Sequence, residues 1–303
     1  MGLTRRPADR NQQLNAKMTD VSRPDVTGFY HEPTSSIAYL VADPATKRAA
    51  IIDPVLDYEP NSGRVWTSFA DHMLEEAAKR GLDIEWILDT HPHADHFSAA
   101  AYMKEKLGVP MAIGEKVADV QKLWQEIYNL PPYTSGNWDR LFKDGESFKI
   151  GSLDARVMLN PGHTLASITY VIGDAAFIHD TLFQPDYGTA RSDFPGGSAN
   201  ALYDSIEKIL SLPDDTRLFT GHDYCPGGRP AQWEASVAQQ KQNVHLKKAP
   251  DRASFIAMRE ARDRTLPLPG LMLAALQVNL RGGRLPEPES NGRSYLKIPL
   301  GAF

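Results

Sequence analysis

Between positions 91 and 96 the chain reads His91-Pro92-His93-Ala94-Asp95-His96, which puts four metal-ligating side chains within six residues. In an extended loop a step of two residues returns side chains to the same side. His91 and His93 can therefore converge, while Asp95 and His96 face a neighbouring position. Imidazole and carboxylate at this spacing suit one or two metal ions such as zinc or iron. Three further segments carry the same donor types: Asn160-Pro161-Gly162-His163-Thr164, Ile178-His179-Asp180-Thr181 and Phe219-Thr220-Gly221-His222-Asp223-Tyr224. Each alone is weak, because a histidine in a Pro-Gly turn or an aspartate after a strand also serves as an ordinary turn or capping residue. Together, four segments at expected strand ends form a constellation. The chain has nine histidines and one cysteine, Cys225. An intrachain disulfide, a multi-cysteine zinc site and a cysteine-held iron–sulfur cluster are thereby excluded. Any metal must be held mainly by histidine and carboxylate.

Hydrophobic periodicity indicates the elements that must position these residues. Strands are expected at 36–41 and 49–53. A helix is expected over 65–80, with Phe69, Met73, Leu74 and Ala77 on one face and Gly81 ending it. The apolar run 84–88 reads as a buried strand that empties into 89–96. A helix over 97–107 and a strand at 110–113 follow. The region 148–159 alternates as a strand pair does. Strands at 168–172 and 175–178 are joined by the turn Gly173-Asp174. A helix at 202–210 and a strand at 217–220 complete an α/β pattern of two mixed β/α halves, which implies two sheets face to face with helices outside. Beyond 230 come helices at 233–244 and 254–263. A Pro/Gly-rich tail then carries an apolar stretch at 271–276 and a strand at 295–299. The chain is thus expected to comprise a flexible N-terminal extension (1–24), a catalytic domain (25–230) and a C-terminal helical appendage (231–303) packed on the same domain.

Composition bounds the remaining classes. The 303 residues are 42% hydrophobic and 23% charged, which is ordinary for a globular chain and excludes a disordered or collagen-like one. Lys and Arg total 33 against 38 Asp and Glu, a net charge of −5, so no basic surplus points to nucleic acid. No apolar run is long enough to span a membrane, and residues 1–24 lack the apolar core of a secretory signal. Met18 offers an alternative start, and a cytoplasmic location is the expectation.

The motifs Thr90–His96, Pro161-Gly162-His163-Thr164, Asp180 and Gly221-His222-Asp223-Tyr224 resemble those of the metallo-β-lactamase superfamily, over roughly 30–245. The resemblance implies an α/β fold, a four-layer αβ/βα sandwich of two mixed sheets with a metal site at one edge. Within that superfamily, Ile52-Asp53-Pro54-Val55, Gly188-Thr189-Ala190-Arg191-Ser192-Asp193-Phe194 and His222-Asp223-Tyr224 resemble the glyoxalase-II-like branch, and in it the persulfide dioxygenases.

By that resemblance His91, His163 and Asp180 hold one Fe(II) per chain, leaving positions for O₂ and a substrate sulfur. A low-molecular-weight persulfide, in this family glutathione persulfide, is oxidised to sulfite and thiol. His93, Asp95, His96 and His222 then stand behind the iron. In the hydrolase branch the same residues hold two ions, two Zn or mixed Zn/Fe: His91, His93 and His163 on one, Asp95, His96 and His222 on the other, with Asp180 bridging. There a metal hydroxide attacks a thioester, as in glyoxalase II (hydroxyacylglutathione hydrolase). The chain keeps every ligand of both arrangements.

Arg191 matches the family's cationic substrate contact and Tyr224 its tyrosine contact. Arg191 equally suits an ion pair with Asp186 or Asp193, and Asp193 is expected to make a structural hydrogen bond in that loop. The tail is longer than in compact persulfide dioxygenases. It is expected either to cover the substrate mouth or to form a contact in a homo-oligomer, a dimer or tetramer. Cys225 reads as a partly buried thiol and His179 as a structural residue. His31, His72 and His245 read as surface or core fillers, and Trp124, Tyr128 and Tyr133 as core aromatics.

Overall fold

The computed structural model describes residues 23–302, except 131 and 133–135. In chain order the elements are β1 (Asp25–His31), β2 (Ser36–Ala42), β3 (Arg48–Ile52), β4 (Val55–Glu59), β5 (Arg64–Trp66), α1 (Ser68–Lys79), β6 (Asp83–Leu88), β7 (Phe97–Ser98), α2 (Ala100–Leu107), β8 (Met111–Gly114), α3 (Val117–Tyr128) and β9 (Arg140–Phe142). The second half continues with β10 (Ser147–Ile150), β11 (Leu153–Leu159), β12 (Ile168–Ile172), β13 (Ala175–His179), α4 (Ala199–Leu210), β14 (Arg217–Thr220), β15 (Glu234–Ser236), α5 (Val237–Gln240), α6 (Val244–Lys248), α7 (Arg252–Asp263) and α8 (Met272–Asn279).

One sheet runs β1-β2-β3-β6-β8-β9, antiparallel through β3 and parallel from there on. The other runs β10-β11-β12-β13-β14-β15, with β13 and β14 its one parallel pair. A small sheet, β5-β4-β7, flanks the first.

Three apolar clusters account for the layering. Between the sheets, Ile37, Tyr39 and Ile52 of the first meet Val157, Tyr170, Phe177 and Phe219 of the second. Outside the first sheet, Met73, Met103, Val117 and Trp124 of α1–α3 pack with Leu276 and Val278 of α8. Outside the second, Leu202 and Ile206 of α4 pack with Val237 and Phe255. The result is helices, sheet, sheet, helices. β2 is buried at every position because both its faces are covered, which is why it reads as a continuous apolar run. By contrast, β10 and β11 alternate, with Phe148, Ile150, Ala155 and Val157 inward and Lys149, Asp154 and Arg156 outward.

The structure differs from expectation at several places. β1 precedes the first expected strand; it is a half-exposed edge strand and carries no clear alternation. The expected helix over 65–80 begins only at Ser68, because Arg64–Trp66 pairs with β4. The helix over 97–107 is preceded by the two-residue strand β7. In place of a helix over 233–244, Glu234–Ser236 pairs with β14, and Ser236 then caps α5 in a capping box with Gln239. Residues 295–299 form no strand; the Lys297 N–H donates to Gln277 Oε1 instead of to a ladder. Of the expected 1–24 extension only 23 and 24 fall among the described residues, and Arg23 sits 3.6 Å from Asp174. Among the described residues no helix is long and apolar enough to cross a membrane.

Candidate metal centre

The ligand-type residues gather at one edge of the sandwich. His91, His93, Asp95 and His96 lie in the loop after β6. His163 lies between β11 and β12, Asp180 directly after β13, and His222 two residues after β14. Hydrogen bonds between the two sheets lock this edge. The Ile168 N–H donates to Thr90 O (3.1 Å) and the Ile37 N–H to Gly221 O (2.8 Å). Tyr170 Oη donates to Asp89 O (3.0 Å) and Tyr39 Oη to Thr220 O (2.5 Å). Gly221 permits a close approach, since a Cβ there would lie 2.6 Å from Asp180 Oδ1.

His91, His163 and Asp180 are buried and bring one ligand atom each within 4.8 Å of one another. Asp180 Oδ2 is 3.8 Å from His91 Nε2, 3.6 Å from His163 Nε2 and 3.4 Å from His222 Nε2. The groups behind fix which ring nitrogen faces inward. His163 Nδ1 lies 2.9 Å from Arg191 O, and His222 Nδ1 lies 3.1 Å from Ser35 O. A carbonyl only accepts, so both rings donate from Nδ1 and turn Nε2 to the centre. For His91 the same result comes through two residues. Thr90 Oγ1 donates to Asp53 Oδ2 (2.8 Å), leaving its lone pairs to accept from His91 Nδ1 (3.0 Å).

His91 Nε2, both ring nitrogens of His93, His96 Nε2 and Asp180 Oδ1 are buried without a hydrogen-bond partner. Orphaned lone pairs of this kind fit a metal cation. A second group, Asp95, Asp180 and His222, also meets within 4.8 Å and shares Asp180 with the first. The protonation pattern agrees with a cluster organised around carboxylates. Burial favours a neutral His222, but Asp180 outweighs it and holds the imidazolium well above its ordinary value. Burial would likewise raise Asp180; His222 pulls it down to about 2.

His93 goes elsewhere. Its Nε2 is 3.0 Å from Asp53 Oδ1, and its ligand atoms group with Asp53 and Asp89, and separately with Asp95 and His96. Burial would lower its pKa, but Asp53 raises it to about 9. Asp53 holds a left-handed φ of +51° before Pro54 and also accepts the Thr90 N–H (2.7 Å). Asp89 is pushed up to about 7, first by burial and then by Asp53. His96 Nδ1 is bonded to Asp95 Oδ2 (2.9 Å).

A cleft of about 450 Å³ opens over the centre, walled by Phe183, Phe194, Tyr187, Tyr224, Leu266 and Leu268. Tyr224 stacks on the His222 ring with centroids 5.6 Å apart. Arg191 lines the cleft, but its guanidinium is engaged: Nε and Nη2 donate to Asp193 (2.7 and 2.8 Å) and Nη1 to Pro267 O (2.6 Å). Asp186 instead pairs with Arg229. Residues 266–270 thus form one wall of the mouth and are tied to Arg191.

Of the other residues weighed in the sequence, Trp124 and Tyr128 stack in the core, and Tyr133 lies outside the described residues. Cys225 is half-buried, with Sγ 3.7 Å from Tyr30 Oη. His179 is buried 5.1 Å, ring to ring, from His91. His31 and His245 do more than fill space. His31 joins Thr34 (2.7 Å) to Asp57 (3.4 Å) below the loop that holds His222. His245 Nδ1 accepts the Thr189 N–H (3.0 Å) beside the cleft. Sequence reasoning gave no role to Thr90, Asp89 or Asn279. Thr90 and Asp89 adjoin the histidine motif; Asn279 is more than 180 residues away and had no local signal.

An αβ/βα sandwich with a His/Asp metal-binding edge defines a metal-dependent enzyme class, and the known proteins agree. The family described as the metallo-beta-lactamase superfamily matches residues 31–222. The chain belongs to this superfamily. It is 61% identical over 286 residues to a beta-lactamase hydrolase-like protein of Xylella fastidiosa (strain 9a5c), covering 93% of this chain and 66% of the relative. It therefore spans about two thirds of that relative's length. A protein of Dictyostelium discoideum named glyoxylase B2 is 46% identical, covering 86% of this chain and 91% of its own. The human mitochondrial persulfide dioxygenase ETHE1 is 29% identical over 64% of this chain and 66% of its own. Among solved structures, ETHE1 from Myxococcus xanthus superposes with a TM-score of 0.69 at 29% identity, covering 86% of this chain and all of that one.

Proposed function

We propose that this chain is a non-heme iron persulfide dioxygenase. One Fe(II) is held by His91, His163 and Asp180, and a low-molecular-weight thiol persulfide, glutathione persulfide, is the substrate. The balanced reaction is RSSH + O₂ + H₂O → RSH + sulfite + 2 H⁺. The observation that carries this reading is the parting of the histidine motif: His91 turns to His163 and Asp180, whereas His93 pairs with Asp53. Two histidines and one carboxylate leave open positions for two reactants.

When bound, the iron supplies the redox chemistry and the contact for O₂ and sulfur. The chain's own groups do the rest. Asp53, through Thr90, orients His91, and Arg191 O orients His163. Phe183, Phe194 and Tyr224 wall the cleft and limit water around the sulfur. His222, bonded at Nδ1 to Ser35 O, sits 3.4 Å from both Asp95 and Asp180 and can hold a proton at Nε2. Arg191 and Tyr224 are proposed to border the thiol carrier.

A second reading is a dinuclear thioester hydrolase of the glyoxalase II type, with two Zn or mixed Zn/Fe. The second group, Asp95, Asp180 and His222, favours it, as do the relatives named for hydrolase and glyoxylase activity. The test is metal content and turnover of the purified protein. About one iron per chain and O₂ consumption with glutathione persulfide are expected. Iron-loaded protein that leaves O₂ untouched, yet releases thiol from an acylglutathione without O₂ with two metals bound, would establish the hydrolase instead.

A further inference from the structure

The ligand loop between β6 and β7 has no regular structure, so its backbone needs partners from elsewhere. Asn279, at the end of α8 and only 2% exposed, provides them. Its Nδ2 donates to the carbonyls of His93 and His96, both at 2.7 Å, and its Oδ1 accepts the Ser98 N–H at 2.7 Å. An amide side chain offers two donors and two acceptor sites. Both donors and one acceptor site of Asn279 thus serve one loop.

The stretch just after α8 repeats the contact. Gly283 (φ +82°) lies so close that a Cβ there would come within 2.4 Å of Ser98 O. Ser98 Oγ in turn donates to Asp89 (3.1 Å), closing the neck of the loop. The segment is held rigidly, since Met272, Ala275, Leu276, Val278 and Leu280 are buried in the core. Gln121 Nε2 also donates to Leu280 O (2.8 Å). All of α8 lies outside the family match, which ends at residue 222.

We infer that Asn279 is a positioning residue of the metal centre. By fixing the carbonyls of His93 and His96 it sets the path of the loop, and with it the divergence of His91, facing Asp180, from His93, facing Asp53. It acts through the backbone of the loop that carries His91 and touches neither metal nor substrate. The divergence rests on the mononuclear reading; the hold on the path of the loop is tested under either chemistry proposed above, because its readout is the ligand field.

The test uses the full chain loaded with cobalt(II), in wild type, Asn279→Ala, Asn279→Asp and Leu276→Ala. Asn279→Asp keeps the size and the acceptor for the Ser98 N–H but lacks the two donors. Leu276→Ala loosens the same helix and removes no hydrogen bond to the loop. Both Asn279 variants are expected to shift the cobalt ligand-field bands and to lose about 10–100-fold in metal affinity, as substitutions behind metal ligands do. Leu276→Ala is expected to lower the melting temperature and leave the bands in place. Wild-type bands and affinity in either folded Asn279 variant would overturn the inference. So would an equal band shift in Leu276→Ala. Failure of both Asn279 variants to fold would overturn it too, because the role would then be core stability.

Discussion

His91 and His93 are separated by one proline, share a loop and are both buried, yet they belong to different local chemistries. His91 faces Asp180 and His163 with a bare Nε2, while His93 faces Asp53 and Asp89. Burial drives both toward the neutral form. His91, with His93 and His179 as neighbours, stays well below its ordinary value, whereas the Asp53 carboxylate lifts His93 to about 9. A ligand-type residue in a metal motif is thus assigned by the carboxylate it turns to as well as by its spacing.

The largest expected effect tests the first half of this contrast. Asp180→Ala removes the carboxylate shared by His91, His163 and His222. Elemental analysis after dialysis should find metal retention lowered by more than about 100-fold. Wild-type retention would mean that the trio is not the centre.

His93→Ala addresses the other half. The variant should keep about one metal per chain with an unchanged ligand-field spectrum. Because it removes the imidazolium beside the buried Asp53 and Asp89, denaturant unfolding should find it less stable by about 3–5 kcal/mol. Loss of a metal equivalent would place both histidines on the same footing.

A finer cut is Thr90→Val, which keeps the shape but breaks the link from Asp53 to His91 Nδ1. Metal affinity should fall about tenfold. Chelator competition measures it, and no change would show that His91 needs no support from Asp53.

The smallest effect concerns a histidine with no carboxylate beside it. His245 is lowered to about 4 by burial and then by Arg259, Arg262 and Lys248, and it stays neutral to accept the Thr189 N–H. Its folded-state pKa lies below the unfolded value of about 6.5. The stabilisation it gives is therefore present above about pH 6.5 and is lost as pH falls toward 4. Melting temperatures across that window should fall more for wild type than for His245→Gln; parallel curves would remove the assigned role.

Much of this was legible in the sequence. The superfamily fold was implied by the resemblance that the motifs at strand ends carry, and mostly apolar runs such as 84–88 signalled the strands that hold them. The ligand-type residues were named from spacing, and they do gather at one edge. The parting of His91 from His93 was implied by the resemblance but not legible in the spacing, because it depends on Asp53, held at a positive φ and brought to Thr90 by strand pairing. Edge elements were missed for a related reason: β1 and β15 are defined by the strands they pair with and carry little alternation of their own. The engagement of Arg191 by Pro267 O required the tail to fold back over the cleft, which no local pattern announces.

The bond from Asn279 to the Ser98 N–H spans 181 residues of chain. A ribosome adding 5–20 residues per second needs about 10–40 s to make that stretch. Throughout that interval the histidine loop has emerged without its brace. Ions that reach the nascent chain meet a looser set of donors than the folded protein presents, and α8, made long after the loop, decides when the centre reaches its final form.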